Sequence, residues 1–164
     1  KINIKKFKDK LSNLRIKDFS NKNLLSSEIG LAASYLAKDI RIRNVVDRFQ
    51  KKIVVNISKK YQGICLDGRD ITYNIMPDAD IKFFLTASIK VRALRRTKEL
   101  RKNGFNVSIN EVYKSIKNRD KSDYSRSIAP LKITKDAIKI NTTNLTIRKT
   151  FLILKDKIDK KIIS

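Results

Sequence analysis

The hydrophobic positions of this chain recur with two different periods, and the change of period along the chain outlines the fold. From Ser27 to about Lys38 the run EIGLAASYLAK reads as a helix of small residues. Ile40 to about Ser58 (IRIRNVVDRFQKKIVVNIS) continues as a second helix. Two short apolar runs follow, GICLD at 63–67 and IKFFLTA at 81–87, with a turn at Pro77-Asp78 between them. Both read as strands buried on two faces, a pattern that favours a parallel sheet. A helix is predicted from about Ile89 to Asn103, closing on Gly104, a residue suited to the left-handed position just past a helix end. Ser108 and Glu111, three apart, form a capping-box signature for the next helix. AIKINTT at 137–143 reads as a third strand. In the last helix Ile147, Phe151, Leu154, Ile158 and Ile162 make one apolar stripe. Residues 1–23 are the least legible, with some strand-like alternation. Strands alternating with helices predict an α/β fold with a parallel sheet.

Composition narrows the chemistry. The 164 residues fit one domain with a core, and 41% hydrophobic residues fit a globular class. No apolar segment approaches the roughly 20 residues a membrane helix needs, and no secretory signal opens the chain. The absence of His excludes a His general base, a Ser-His-Asp triad and a His-ligated zinc. The single cysteine, Cys65, excludes an internal disulfide and is expected in the core. A reduced, cytoplasmic protein is expected. The net charge of +23 raises the reading of a nucleic-acid binder. Against it, the lysines are spread along the chain with little aromatic interleaving. The excess of Lys, Ile and Asn matches drift in an AT-rich genome.

Two segments carry charge where packing does not require it. In GICLDGRD (63–70) an apolar run stops on two acids that bracket a glycine and an arginine. In SINEVYKSIKNRDKSDYSRSIAP (108–130), Val112, Ile116, Arg119, Asp123 and Arg126 are spaced to line one face of a continuous helix. That face begins apolar and ends Arg-Asp-Arg. An ordinary solvated helix end accounts for this, with an i, i+4 pair worth a few tenths of a kcal/mol. So does a ligand carrying phosphate and sugar hydroxyls, because guanidinium forks match phosphate oxygens. Arg92, Arg95 and Arg96 (VRALRRT) form a second basic cluster just before this helix.

LDGRDI, PDADIKFFLTAS, the RALRR cluster, KNGFNV and RDKSDYSRSIAPL resemble bacterial cytidylate kinases in order and spacing, and AASYLAKDIRIR resembles that family's nucleotide-reading helix. The resemblance covers roughly residues 24 to 162. It implies a P-loop α/β fold of the nucleoside-monophosphate-kinase kind, with a parallel sheet, flanking helices and a helical lid. It also implies transfer of the γ-phosphoryl of ATP to CMP or dCMP with Mg²⁺, small-molecule partners and a monomer. The implied layout places 24–57 as the monophosphate-binding helices, 58–104 and 132–164 as core, and 105–131 as the lid of one partial domain spanning 1–164. By motif, Ser34, Arg43 and Asp70 would read the cytosine. Arg69, Arg119 and Arg126 would hold the CMP phosphate, and Asp123 the ribose hydroxyls. Asp67 would stand near the metal, and Arg95 and Arg96 near the ATP phosphates.

The implied roles agree with elementary recognition chemistry. A carboxylate such as Asp70 accepts from the cytosine amino group, while Arg43 and the Ser34 hydroxyl can donate to its acceptors. Uracil reverses the donor at C4 and leaves Asp70 unpaired. Phosphoryl transfer asks chiefly for positioning and charge neutralisation, so a chain without His can support it.

The chain also departs from the family pattern. No GxxxxGK[ST] phosphate loop occurs in it, and the family's first strand and helix are not found. Thr72 stands where a glycine is usual, and Ser122 replaces a usual arginine. The chain is therefore expected to be either an N-terminally truncated piece of a working enzyme or a non-catalytic remnant. The opening Lys1, in place of Met, favours the former.

Overall fold

A computed structural model describes residues 3–58 and 61–163. Lys1 and Ile2, the start of the segment with strand-like alternation, lie outside the described residues, as do residues 59–60 and 164. From Asn3 onward that segment is not a strand. It forms helix α1 (Ile4–Ser12), capped by the Asn3 side chain accepting from the Lys6 amide at 3.0 Å. Ile4, Phe7 and Leu11 supply the physical reason: they recur at helical spacing and are half-buried, while the lysines between them are exposed. Short 3₁₀ turns at Ile16–Ser20 and Lys22–Leu25 lead into α2 (Ser27–Leu36), and α3 (Ile40–Ser58) follows, packed against α1.

The sheet is smaller than the apolar runs predict. β1 (Phe83–Thr86) and β2 (Ile138–Asn141) pair in parallel, with Phe83 opposite Ile138 and Thr86 opposite Asn141. Residues 63–67 do not join them. They carry no regular secondary structure, with Ile64 and Leu66 half-buried and Gly63, Cys65 and Asp67 exposed. A parallel strand exists only where its N–H and C=O groups are paired with a neighbour's, and 63–67 pairs with neither β1 nor β2. Cys65 is accordingly exposed rather than in the core. Leu85 is exposed as well, so β1 is not covered on both faces.

The packed core lies between α4 (Ile89–Lys102) and α5 (Ile109–Ser125). Ala93, Leu100 and Val112 are buried at its centre, with Phe105, Val107, Tyr113 and Ile116 packed around them. The turn between these helices forms as its residues dictate. Gly104 adopts φ +88°, a conformation that glycine reaches without steric cost. Ser108 and Glu111 then close the capping box, the serine hydroxyl accepting from the Glu111 amide and the Glu111 carboxylate accepting from the Ser108 amide at 2.8 Å. In α6 (Ile147–Ile163) the predicted stripe exists but faces solvent: Ile147, Phe151, Ile158 and Ile162 are exposed, and only Leu154 is half-buried. The architecture is a mixed α/β fold consistent with the nucleoside monophosphate kinase class, with helices around a two-stranded parallel sheet.

Candidate functional site

The site is assembled at the junction of three segments. The first is α3, whose start is fixed by Asp39. The Asp39 carboxylate accepts from the Arg41 amide at 2.9 Å and from its guanidinium at 3.0 and 2.6 Å. These Arg41 hydrogen bonds hold the Asp39 carboxyl at about 2, well below its usual 3.8. Because the folded value is depressed, the stabilisation is present above the ordinary carboxyl range and is lost as pH falls toward 2. Asp39→Asn is therefore expected to flatten the loss of helicity between about pH 4 and pH 2, followed by circular dichroism. Identical acid profiles for the two chains would remove this cap from the account.

One turn into α3, Arg43 forms an ion pair with Asp70, and both side chains are almost fully buried. Asp70 belongs to the second segment, 67–76. Here a Cβ on Gly68 would come within 2.6 Å of the Ile71 side chain, so a larger residue would force Ile71 to move. Ile71–Ile75 then forms one turn of π-helix, a wide turn often found where function has shaped the backbone. Arg69, immediately before Asp70, forms an ion pair with Asp123 of α5, the third segment. Asp123 is buried, and its other oxygen lies 3.3 Å from Nη1 of Arg126.

Arg126 does not continue the helical face as the spacing predicts. The helix ends at Ser125, and Arg126 is extended (φ −68°, ψ 140°). Its Nε donates to the Ala129 carbonyl at 2.6 Å, with Ala129 in the left-handed region at φ 46°. The Tyr73 hydroxyl donates to the carbonyl of Pro130, so the π-turn and the end of α5 are stapled together. Burial raises the Tyr73 pKa, with the Asp70 charge acting in the same direction, and the hydroxyl stays a donor. One turn before Asp123, Arg119 makes no ion pair or hydrogen bond with the described residues. Loss of hydration depresses its pKa first, and the nearby charge of Arg69 next.

Two groups of ion pairs thus meet at the adjacent residues 69 and 70: Arg43 with Asp70 on the α3 side, and Arg69 and Arg126 on Asp123 at the end of α5, with Arg119 close enough to feel the charges of Arg69 and Asp123. A cleft of about 380 Å³ opens at the α3 end, lined by Arg43, Asp47, Gln50 and Asp70 together with Phe7, Ala33, Leu36 and Val46. The other expected site residues fall around these pairs. Ser34 is half-buried on α2 between cleft-lining neighbours and is not itself part of the lining. Asp67 is exposed on the extended run. Arg96 lies near enough to act on Arg119, while donating to the Leu25 carbonyl and to Glu99, each at 2.7 Å. Arg95 is turned elsewhere: it donates to the Thr142 hydroxyl at 3.1 Å and to the carbonyls of Thr142 and Leu145 at 2.7 and 3.0 Å. Arg92, the remaining basic residue of that cluster, grips Asp120 with two bonds of 2.9 and 2.6 Å. The sequence reading missed Asp47, Asn74 and Tyr73.

A family model described as cytidylate kinase matches residues 2–160. The chain belongs to the cytidylate kinase family. The match reaches back through α1, so the part least legible in the sequence lies within the family's span as well. A cytidylate kinase of Thermosipho melanesiensis is 44% identical over 149 residues, covering 84% of this chain and 66% of its own length. One of Alkaliphilus oremlandii is 44% identical over 127 residues, 77% of this chain and 56% of its own length. One of Clostridium botulinum (strain Langeland) is 54% identical over 92 residues, 56% of this chain and 42% of its own length. The chain therefore spans about two-thirds or less of these cytidylate kinases. No described helix is long and apolar enough to cross a membrane.

Proposed function

We propose that this chain carries the acceptor-binding and lid portions of an enzyme that moves the γ-phosphoryl of ATP to CMP or dCMP. The observation that carries the reading is that the Arg43–Asp70 pair and the Arg69–Asp123–Arg126 cluster are joined at the adjacent residues 69 and 70. At the α5 end three guanidiniums, Arg69, Arg119 and Arg126, gather around one carboxylate, Asp123, a surplus of two positive charges that complements a phosphate monoester carrying about −1.5 to −2. Arg69, Arg119 and Arg126 take the phosphate. Asp123 lies between Arg69 and Arg126, so it shares the two partners that the phosphate would take. When the arginines turn to phosphate, Asp123 is released to accept from the ribose hydroxyls. At the cleft, Asp70 accepts from the cytosine amino group and Arg43 donates to its ring acceptors, with Ser34 helping from α2. Residues 105–131 carry the lid portion, whose first half is anchored in the core against α4 and whose end, from Arg119 to Arg126, meets the phosphate.

Arg96 sits beside Arg119 and serves the donor side. Arg95 contributes by bracing α4 against the loop after β2. For Mg²⁺, no group of three or more His, Cys, Asp or Glu that could cage an ion occurs among the described residues. Asp67, an exposed hard-oxygen donor, fits the other mode of binding, in which one carboxylate joins waters and nucleotide phosphates. When bound, the metal supplies charge neutralisation between the phosphates.

Isothermal titration of the chain with CMP and with UMP tests the reading. CMP is expected to bind at least about tenfold more tightly, because the uracil carbonyl would face Oδ1 of the largely buried Asp70 without offering it a donor. Equal affinities would refute the assignment of Arg43 and Asp70.

A further inference from the structure

Asp70 is held from two sides, and one side has no assigned role. Its Oδ2 accepts from the Arg43 guanidinium and also, at 3.0 Å, from the side-chain amide of Asn74. The same Asn74 amide nitrogen donates at 2.8 Å to Oδ2 of Asp47. Both amide protons are therefore used, one on each carboxylate, and the three groups are partly or largely buried. Asp47 follows Arg43 by four residues on α3, and Asn74 follows Asp70 by four across the π-turn. Two elements thus each present a pair of polar groups to the other, closing a square. Arg43, Asp47 and Asp70 all line the cleft, while Asn74 stands behind them. Within the square Arg43 keeps one buried donor, Nε, with no protein partner.

This arrangement does more than satisfy hydrogen bonds. Without Asn74 between them, the carboxylates of Asp47 and Asp70 would face each other across a poorly hydrated gap and repel. With it, the corner holds two carboxylates against one guanidinium, and Asp70 has one fixed orientation. Oδ1 of Asp70 is left for a ligand donor, and the Nε of Arg43 for a ligand acceptor. Held in that orientation, Oδ1 of Asp70 presents an acceptor to an amino group and finds no donor on a carbonyl oxygen.

Resting on the reading of the cleft as a cytosine site, we infer that Asn74 is a positioning residue that, anchored by Asp47, sets the carboxylate of Asp70 and so the preference for a 4-amino over a 4-oxo pyrimidine. Neither residue needs to touch the base.

The test uses the full chain and three variants, titrated with CMP, UMP and inorganic phosphate. Asn74→Val and Asp47→Leu are expected to reduce the CMP-to-UMP affinity ratio about tenfold while leaving phosphate affinity within about twofold. Asp47→Asn is expected to keep the parent ratio, because an asparagine oxygen at 47 still accepts from Asn74. A merely structural role would shift all ligands together and would not distinguish Asp47→Asn from Asp47→Leu. Ratios within twofold of the parent in both Asn74→Val and Asp47→Leu would overturn the inference.

In parallel, the side-chain amide resonances of ¹⁵N-labelled Asn74 are followed in the ligand-free chain. They are expected to exchange slowly in the parent and in Asp47→Asn, and at solvent-like rates in Asp47→Leu. Solvent-like exchange in the parent would overturn the pair whatever the ligands do. A parent with no CMP preference but a protected Asn74 amide would refute the cytosine reading and leave the pair as an orienting device for Asp70 alone.

Discussion

Asp123→Ala is expected to destabilise the chain by about 3 kcal/mol, because removing one partner of a buried ion pair leaves the others charged and unmatched. The Asp123 side chain is only 8% exposed and is bonded to Arg69 on one oxygen and Arg126 on the other. Its removal brings two guanidiniums together beside a third, Arg119, whose hydration is already reduced. The Arg69 side chain keeps 38% of its surface in water, which holds the effect to the lower part of the range for buried pairs. Asp123→Asn should show about half the loss, since an amide oxygen still accepts from one arginine. Urea unfolding measures both as a shift of the midpoint at constant slope. If Asp123 holds the place of an anion, millimolar inorganic phosphate should restore much of the lost stability in Asp123→Ala and little in the parent, by preferential binding to the folded state. A midpoint unchanged by the mutation would mean that Asp123 is not a structural counter-ion. A loss that phosphate leaves untouched would detach it from the phosphate site.

What was legible in the sequence was local chemistry. Gly104 and the Ser108–Glu111 pair announced the turn and the cap between α4 and α5, and both form as written. β1 and β2 were legible because Phe83–Thr86 is a short apolar run and Ile138–Asn141 alternates isoleucine with polar residues, and the two find each other. The failures share a cause: pattern says which residues share a face, and not what covers that face. GICLD reads as a strand, yet strand identity depends on a neighbour's hydrogen bonds, and exposed Cys65 follows from the same gap. The α6 stripe is real in period and exposed in fact, with Ile147 91% exposed. The sequence KINIK at residues 1–5 alternates as a strand would, and only the longer spacing of Ile4, Phe7 and Leu11 reveals α1.

The site divides the same way. Arg43, Arg69, Asp70, Asp123 and Arg126 belong to recognisable motifs, and the structure joins them. Asp47 and Asn74 belong to no motif, although each lies four residues beyond a member of the Arg43–Asp70 pair, a spacing that could have marked them. Arg95 and Arg96 are adjacent in sequence and were grouped, but consecutive helical residues point about 100° apart. One grips the loop after β2 and the other lies beside Arg119.

The largest effect on ligand binding is expected at Arg119, with little effect on stability. Arg119→Ala should weaken CMP about 30-fold, near 2 kcal/mol, the lower end for losing one partner of a desolvated charge pair. The fold should be little affected, because this guanidinium has no ion pair among the described residues, and the loss of hydration and the charges of Arg69 and Arg96 that disfavour it outweigh the favourable pull of Asp123 and Asp120. A residue strained in the free chain and useful only with an anion is the usual compromise of a binding site. Cytidine, which lacks the phosphate, should bind parent and variant alike, and this locates the effect on the phosphate rather than the base. The same titrations discriminate against a role driven by bulk charge. With a net charge of +23, non-specific binding to nucleic acid would change little on losing one arginine and would fall steeply with salt. A CMP affinity indifferent to Arg119, accompanied by steeply salt-dependent binding of single-stranded RNA, would favour the polyanion reading over the nucleotide site. The reverse pair of results would tie this guanidinium to a monophosphate.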